Sequence, residues 1–450
     1  MLEALGPHVV FDEHFVTTPV CCPSRASLLT GLYAHAHGVL RNRLYVDARH
    51  VYGAEVFLER GNEEHTLARW LGDAGYRTAY FGRYLYGYER LVASRRHVPA
   101  HWDDWYAFES KGYYDFRLVE RPRGAARPTL RCYATSSPMG AGLPDCDEGA
   151  DDTVRGEESY STDVLRDRLL EFVRSAHQDD GPFFAVFAPL APHAPFFNPS
   201  RYEPSPHQLS AEAQERMRAC ELFDWPSRPP SYAEADVSDS PAWVQRLPIP
   251  NADRLDRRRR RHAVTLLAVE DAVRDVLELL RELGEEDTIV IFTSDNGLSW
   301  GEHRWMGKNC PYDECTRVPL VVRDPAVGVS RRDSSLVANV DLAATIAAYA
   351  GVAPTRPISG MSLVDRIRDE HAPWQREEIL TECWSSRSAN GADTFSAIRT
   401  RRWKYVEYED EAELYDLERD PHERTNLAND PATERVREEL RERLARLRRR

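Results

Sequence analysis

Three times along this chain an amphipathic helix runs into a short, unbroken apolar strand that ends on a polar group, and few folds accommodate that repeat. Residues Thr66–Gly75 read as a helix leading to Thr78-Ala79-Tyr80-Phe81-Gly82 and then Arg83. Thr162–Ala176 leads to Phe183–Ala188, with Pro192-His193 just beyond. A third helix carries Leu266, Val269, Val273, Val276, Leu277, Leu280 and Leu283 on one stripe and stops at Gly284; Thr288–Phe292 and Asp295-Asn296-Gly297 follow. A helical period followed by a continuous β-branched or aromatic run marks crossover units, whose strands pair mainly in parallel and are covered on both faces. The expected fold class is therefore α/β, with a large, mostly parallel sheet flanked by helices. Ligands bind such sheets beyond the C-terminal strand ends. Arg83, His193 and Asp295 are thus expected to converge.

With 450 residues the chain has length for a large core and two subdomains. The crossover pattern supports one domain over residues 1–360. Beyond Gly360 come short strands, Ser396–Arg399, Trp403–Tyr408 and Glu413–Leu417, and a charged helix, Thr433–Leu447. That is an α+β pattern without crossovers, a smaller subdomain over 361–450. Residues 84–160, with many aromatics, Gly and Pro, and residues 195–256, Pro-rich and irregular, read as insertions over the sheet. The net charge of −14 argues against nucleic acid as a partner, so an anionic ligand must be drawn in by local cations. The run Arg257–Arg261 leads into the long helix and reads as a solvated face. No apolar run is long enough to span a bilayer. Met1-Leu2-Glu3-Ala4 has neither the basic start nor the apolar stretch of a signal peptide, and localisation stays open. Eight cysteines are too few for a disulfide scaffold, though Cys132 with Cys146, or Cys310 with Cys315, could pair in an oxidising compartment.

The most specific motif is Cys21-Cys22-Pro23-Ser24-Arg25-Ala26-Ser27-Leu28-Leu29-Thr30-Gly31. Read alone, it is a helix start with Pro23 set for the first turn and a buried cysteine pair. Backbone N–H groups at such a start favour anions. The motif also resembles the signature of the sulfatase family, in which the first cysteine of Cys-x-Pro-Ser-Arg is oxidised to formylglycine. The resemblance implies that Cys21 is the nucleophile precursor, Arg25 its electrostatic partner, and a formylglycine-generating enzyme a partner during maturation. A hydrated aldehyde suits sulfate esters: one hydroxyl attacks sulfur and expels the alcohol, and the other then collapses the adduct. Cys22 is expected only to pack.

The resemblance extends from Pro19 to about Leu427. It implies an alkaline-phosphatase-like sandwich and matches Thr293-Ser294-Asp295-Asn296-Gly297 to a metal motif. Asp295 and Asn296, with the converted Cys21, would ligate a divalent metal, Ca²⁺ by the hardness of their oxygens. Gly307-Lys308-Asn309 places Lys308 as a contact to the sulfate and leaving oxygen. His193, in Ala191-Pro192-His193-Ala194-Pro195, would donate a proton to the leaving oxygen. After the first strand the family pattern is Gly-Lys, whereas this chain has Gly82-Arg83. Arginine keeps the charge and grips an oxyanion but cannot lend a proton near neutrality. Leu85 stands where some sulfatases carry histidine.

Sulfatases also begin with a strand ending in two adjacent aspartates that completes the metal site. Residues 1–20 read instead as the loop after such a strand, so the metal site is expected to be incomplete in this chain. The Cys-Cys-Pro-Ser-Arg form and Tyr84-Leu85 resemble N-acetylglucosamine-6-sulfatases most. The expected substrate is a sulfated carbohydrate or aryl ester. Two rivals remain: a phosphoric or phosphonic ester hydrolase of the same superfamily, and a catalytically impaired protein that only binds sulfated glycans.

Overall fold

The apolar runs do form strands, but they are shared between two sheets in two interleaved parts of the chain. The computed structural model describes residues 5–46, 49–134, 151–155, 159–179, 181–203, 208–219, 228–385 and 392–449. One compact unit comprises Met1–Gly6, Ala68–Pro226 and Ala252–Thr288; the other comprises Pro7–Leu67, Ser227–Asn251 and Ile289–Arg450. The elements used below, in chain order, are β1 (Val9–Phe15), α1 (Cys21–Thr30), α2 (Leu67–Asp73), β2 (Arg77–Gly82), β3 (Asp104–Ser110), β4 (Phe116–Arg121), β5 (Thr129–Ala134) and β6 (Asp152–Arg155). Then follow α3 (Ser161–Gln178), β7 (Phe183–Ala188), α4 (Ala252–Leu283), β8 (Val290–Thr293), β9 (Leu320–Arg323), β10 (Arg331–Ala338) and α5 (Val340–Tyr349). The last are β11 (Ile379–Cys383), β12 (Phe395–Arg399), β13 (Trp403–Glu407), β14 (Ala412–Asp416) and α6 (Glu434–Leu447).

In the first unit a six-stranded sheet has the order β6-β5-β4-β3-β2-β7. β2 pairs in parallel with β3 and with β7, and Gly82 stands opposite Ala188. Helix α3 buries Leu165, Leu169, Phe172, Val173 and Ala176, the one-sided spacing of a helix on a sheet. Phe172 meets Phe81 of β2 edge-on at 5.8 Å. Along α4, Val264, Ala268 and Ala272 are buried, whereas Leu266, Val273 and Val276 of the expected stripe are only half-buried. In the run Arg257–Arg261, Arg259 is buried and the rest are exposed or half-exposed. Residues 84–160 correct an expectation, since they hold strands β3 to β6 and not only loops. The reading missed them because these strands are aromatic-rich and do not alternate; Trp105 of β3 stacks on Tyr80 of β2 at 5.1 Å.

In the second unit a four-stranded sheet has the order β8-β9-β1-β10. β1 runs antiparallel to β9 and parallel to β10. Residues 9–15 are therefore an interior strand, not the loop expected there. Asp12-Glu13-His14 interrupts the apolar run, and the register with β10 shifts between Phe11 and Glu13. Such a bulge breaks the period on which strand recognition rests.

The third repeat also differs. β8 pairs antiparallel with β9, in a different sheet from β2 and β7. The expectation that Arg83, His193 and Asp295 lie at the strand ends of one sheet is thus not met. β7 and β8 are each the end strand of their own sheet, and their apolar side chains are only half-buried.

The C-terminal strands form an antiparallel sheet in the order β11-β12-β13-β14. Leu380, Ile398, Tyr405 and Leu414 pack there with Leu440, Leu444 and Leu447 of α6. Cys310 and Cys315 form a disulfide; Cys146 lies outside the described residues. Among the described residues no helix is long and apolar enough to cross a membrane.

Candidate active site

The candidate nucleophile is the first residue of α1. Val20 precedes it in extended conformation, and Cys21 and Cys22 are buried. Gly31 closes the helix in the left-handed conformation, its N–H donating to Ser27 O at 2.8 Å. Ser24 faces inward, where its hydroxyl accepts from Asn339 Nδ2 at 3.0 Å. Asn339 Oδ1 in turn accepts from Thr17 N–H and Oγ1, both at 3.0 Å. Asn339 therefore fixes the approach to the helix. The sequence carries no signal for it, because its partner Ser24 lies 315 positions away. Cys22 packs: a Cβ on Gly53 would fall 2.3 Å from its sulfur.

Four further residues of this unit, Lys308, Asn296, Arg25 and Asp295, are linked to Cys21 or to its helix. Lys308 Nζ lies 2.9 Å from Cys21 Sγ and 3.3 Å from Asn296 Oδ1. Arg25, one helical turn after Cys21, donates from Nε to Asp295 Oδ2 at 2.7 Å. Asp295 and Asn296 sit in the turn after β8. Gly297 N–H anchors that turn to Cys315 O at 2.9 Å. A Cβ there would stand 2.1 Å from Glu314 O, so only glycine fits. Asn309 N–H donates to Pro19 O at 3.1 Å, joining the Lys308 loop to the residues before α1. The Lys308 cation thus meets both Cys21 and the Asn296 amide, and the Asp295 carboxylate is held by Arg25 of the same helix.

Asp295 and Asn296 offer a carboxylate and an amide oxygen, hard donors that fit a divalent cation in kind. They supply only part of the six to eight oxygens that Ca²⁺ takes, and Asp295 is already engaged by Arg25.

Arg83 and His193 belong to the other unit and sit at neighbouring strand ends within it. Arg83 N–H donates to Ala188 O at 2.8 Å, across the parallel pair β2–β7. Gly82 makes this possible with φ of +113°, since a Cβ would lie 2.1 Å from Ala188 O. Tyr80 OH donates to Arg83 O at 2.5 Å. His193 N–H donates to Leu190 O at 2.8 Å, and Tyr113 OH to His193 O at 2.7 Å. The ring Nδ1 lies 2.5 Å from Ala194 O, which assigns the proton to Nδ1. Nε2 is then the other, basic nitrogen. Leu85, two residues beyond Arg83, is buried in the apolar core.

Comparison with known proteins places these features in a family. The sulfatase family model matches residues 5–352, and a model described as N-sulphoglucosamine sulphohydrolase, C-terminal, matches 301–450. The chain belongs to the sulfatase family, a class of sulfuric ester hydrolases. It is 28% identical to an arylsulfatase of Volvox carteri over 94% of this chain and 67% of that protein. It is also 28% identical to the N-acetylglucosamine-6-sulfatase of Homo sapiens, over 93% of this chain and 75% of that one. A protein solved with its substrate D-glucosamine-2-N,6-O-disulfate superposes with a TM-score of 0.69 at 20% identity, covering 100% of this chain and 92% of that one. The phosphonate monoester hydrolase of Agrobacterium radiobacter superposes with a TM-score of 0.65 at 23% identity, covering 99% and 89%. The fold is therefore the alkaline-phosphatase-like one.

Proposed function

We propose that the chain removes sulfate from a sulfated carbohydrate or aryl ester through a formylglycine hydrate derived from Cys21. The observation that carries this reading is Lys308 Nζ at 2.9 Å from Cys21 Sγ, at a helix start. After conversion the hydrate oxygens replace that sulfur, and the ammonium would favour an alkoxide there. The alkoxide attacks sulfur, the S–O bond to the alcohol breaks, and the alcohol leaves with a proton from Nε2 of His193, which enters this step as the imidazolium. The second hydroxyl then gives its proton to water, the C–O bond to sulfate breaks, and the aldehyde returns. Arg25, Arg83 and Lys308 bind the oxyanion. A divalent metal on Asp295, Asn296 and the converted Cys21, with calcium the ion that their oxygens favour, would supply further charge neutralisation. In this reading residues 1–360 form the catalytic domain, 361–450 its accessory subdomain, and a formylglycine-generating enzyme is required for maturation.

A phosphonic or phosphoric ester is the second reading, motivated by the superposition on a phosphonate monoester hydrolase. Side-by-side assays of the matured protein with an aryl sulfate, an aryl phosphate and an aryl phosphonate separate the two. Preference for the sulfate supports the first reading; preference for a phosphorus ester overturns it. Binding of sulfated glycan without turnover, in protein whose mass proves conversion, would identify a silent binding protein.

A further inference from the structure

A second group of ionisable side chains lies inside the Pro7–Leu67/Ser227–Asn251/Ile289–Arg450 unit, apart from Cys21, and nothing above uses it. His303, Glu314 and Glu423 each point a potential ligand atom into one space, and these atoms lie within 4.8 Å of one another. His303 and the Glu423 side chain are only 2% and 1% exposed. His303 Nε2 and Glu314 Oε2 are both buried without a hydrogen-bond partner, and Glu423 Oε1 faces Lys404 Nζ. The first two stand 3.9 Å apart. Buried polar atoms left in this state cost about 1–3 kcal/mol each unless something satisfies them.

Each side chain is held from its far side. Glu423 Oε2 accepts from Asp313 N–H at 2.8 Å, and Glu314 Oε1 from Ser231 Oγ at 3.4 Å. The His303 ring stacks on Tyr312 with centroids 3.8 Å apart, and His303 N–H donates to Ser231 O at 2.7 Å. Behind it, Nδ1 faces the buried carboxylate of Glu234 at 3.8 Å. A carboxylate behind an imidazole is the arrangement that orients histidine as a metal ligand.

We infer that His303, Glu314 and Glu423 form a structural site for a zinc-like divalent cation. One imidazole nitrogen with two carboxylate oxygens suits a borderline transition-metal ion better than Ca²⁺ or Mg²⁺, which take oxygen alone. Ligand atoms on a tetrahedral zinc ion lie about 3.4 Å apart, so the cluster would close slightly. Lys404, paired with Glu423, would shift toward Asp313, whose Oδ1 already lies 3.2 Å from its Nζ. The ion would tie the loop after β8 and the one-turn helix Asp313–Thr316 to the loop after β14, which is distant in sequence.

The test is titration of the chelator-treated full chain with Zn²⁺ and with Co²⁺. Unfolding temperature and the visible ligand-field bands of Co²⁺ are followed in the wild type, Asp295→Ala and Glu314→Gln. The expected result is a rise in Tm with Zn²⁺ and Co²⁺ bands in both wild type and Asp295→Ala. Glu314→Gln, nearly isosteric, should bind at least 10-fold more weakly. No Tm shift and no bands in the wild type would overturn the proposal, as would equal binding by Glu314→Gln or loss of the bands in Asp295→Ala. Should Glu314→Gln not fold, the number of histidines bound to Co²⁺ in the wild type decides: one supports the site, none refutes it.

Discussion

Lys308 Nζ lies 2.9 Å from Cys21 Sγ, although the two residues are 287 positions apart. The contact places a cation where charge develops on a nucleophile and costs no reorganisation during reaction. Lys308→Met should therefore lower turnover of the matured protein by roughly 10²–10³-fold, with little change in stability. Conversion itself should lower the mass of the Cys21 peptide by about 18 Da, thiol replaced by aldehyde, creating the covalent nucleophile. Cys21→Ala should lose all turnover, and activity equal to wild type would end the proposal. Peptide mass spectrometry and aryl sulfate kinetics measure both.

Arg83 closes β2 against Ala188 of β7 through its backbone, which leaves the side chain's role to charge. If it stabilises an oxyanion without moving a proton, Arg83→Lys should retain most activity and Arg83→Met should lose about 10²-fold or more. The pH profile of Arg83→Lys should gain no new ionisation below pH 9. Wild-type rates in Arg83→Met would place the residue outside the site.

Gly297 is a stability test of the turn that carries Asp295 and Asn296. Its missing Cβ would meet Glu314 O at 2.1 Å, and backbone cannot yield as a flexible side chain does. Gly297→Ala should destabilise by on the order of 1–3 kcal/mol and reduce activity together with metal affinity. A denaturant midpoint unchanged from wild type would show that the turn tolerates the shift.

How much of this was legible beforehand depends on the range of the signal. Arg25 and Cys21 lie in one motif, and Asp295, Asn296 and Lys308 in two short ones, so short stretches of sequence mark residues that the structure brings into contact. The crossover units α2–β2 and α3–β7 were legible because helix and strand periods are local. β1 was not, because Asp12, Glu13 and His14 mask an interior strand whose partners lie more than 300 residues away. The sheet that takes β8 was equally hidden, since an apolar run does not name its neighbour. The same holds for Asn339 and for the cluster of His303, Glu314 and Glu423. Their meaning arises only from burial and long-range approach.

Acid should unfold this chain through histidines buried in the neutral form. His14, in the interior strand β1, is pushed down to about 4 by burial, against hydrogen bonding to Val318 and Pro319. His37 is pushed down to about 3 by burial and by the charges of Arg356, His35 and Arg60. It is held neutral between Ser27 Oγ at 3.1 Å and Val39 N–H at 3.1 Å. In the other unit His262 is pushed down to about 4, by burial and by Arg259. Because each folded value lies below the unfolded one, their stabilisation is complete above about pH 6.5. It is lost as pH falls toward 4, where the unfolded chain takes up protons that the folded chain refuses. His14 alone should contribute roughly 3 kcal/mol across that window. Replacing it in His14→Gln should flatten the slope of stability against pH between 6.5 and 4 by about 1.4 kcal/mol per pH unit. Denaturant titrations at pH 7, 6, 5 and 4 measure that slope; equal slopes in variant and wild type would mean that His14 is protonated in the folded chain.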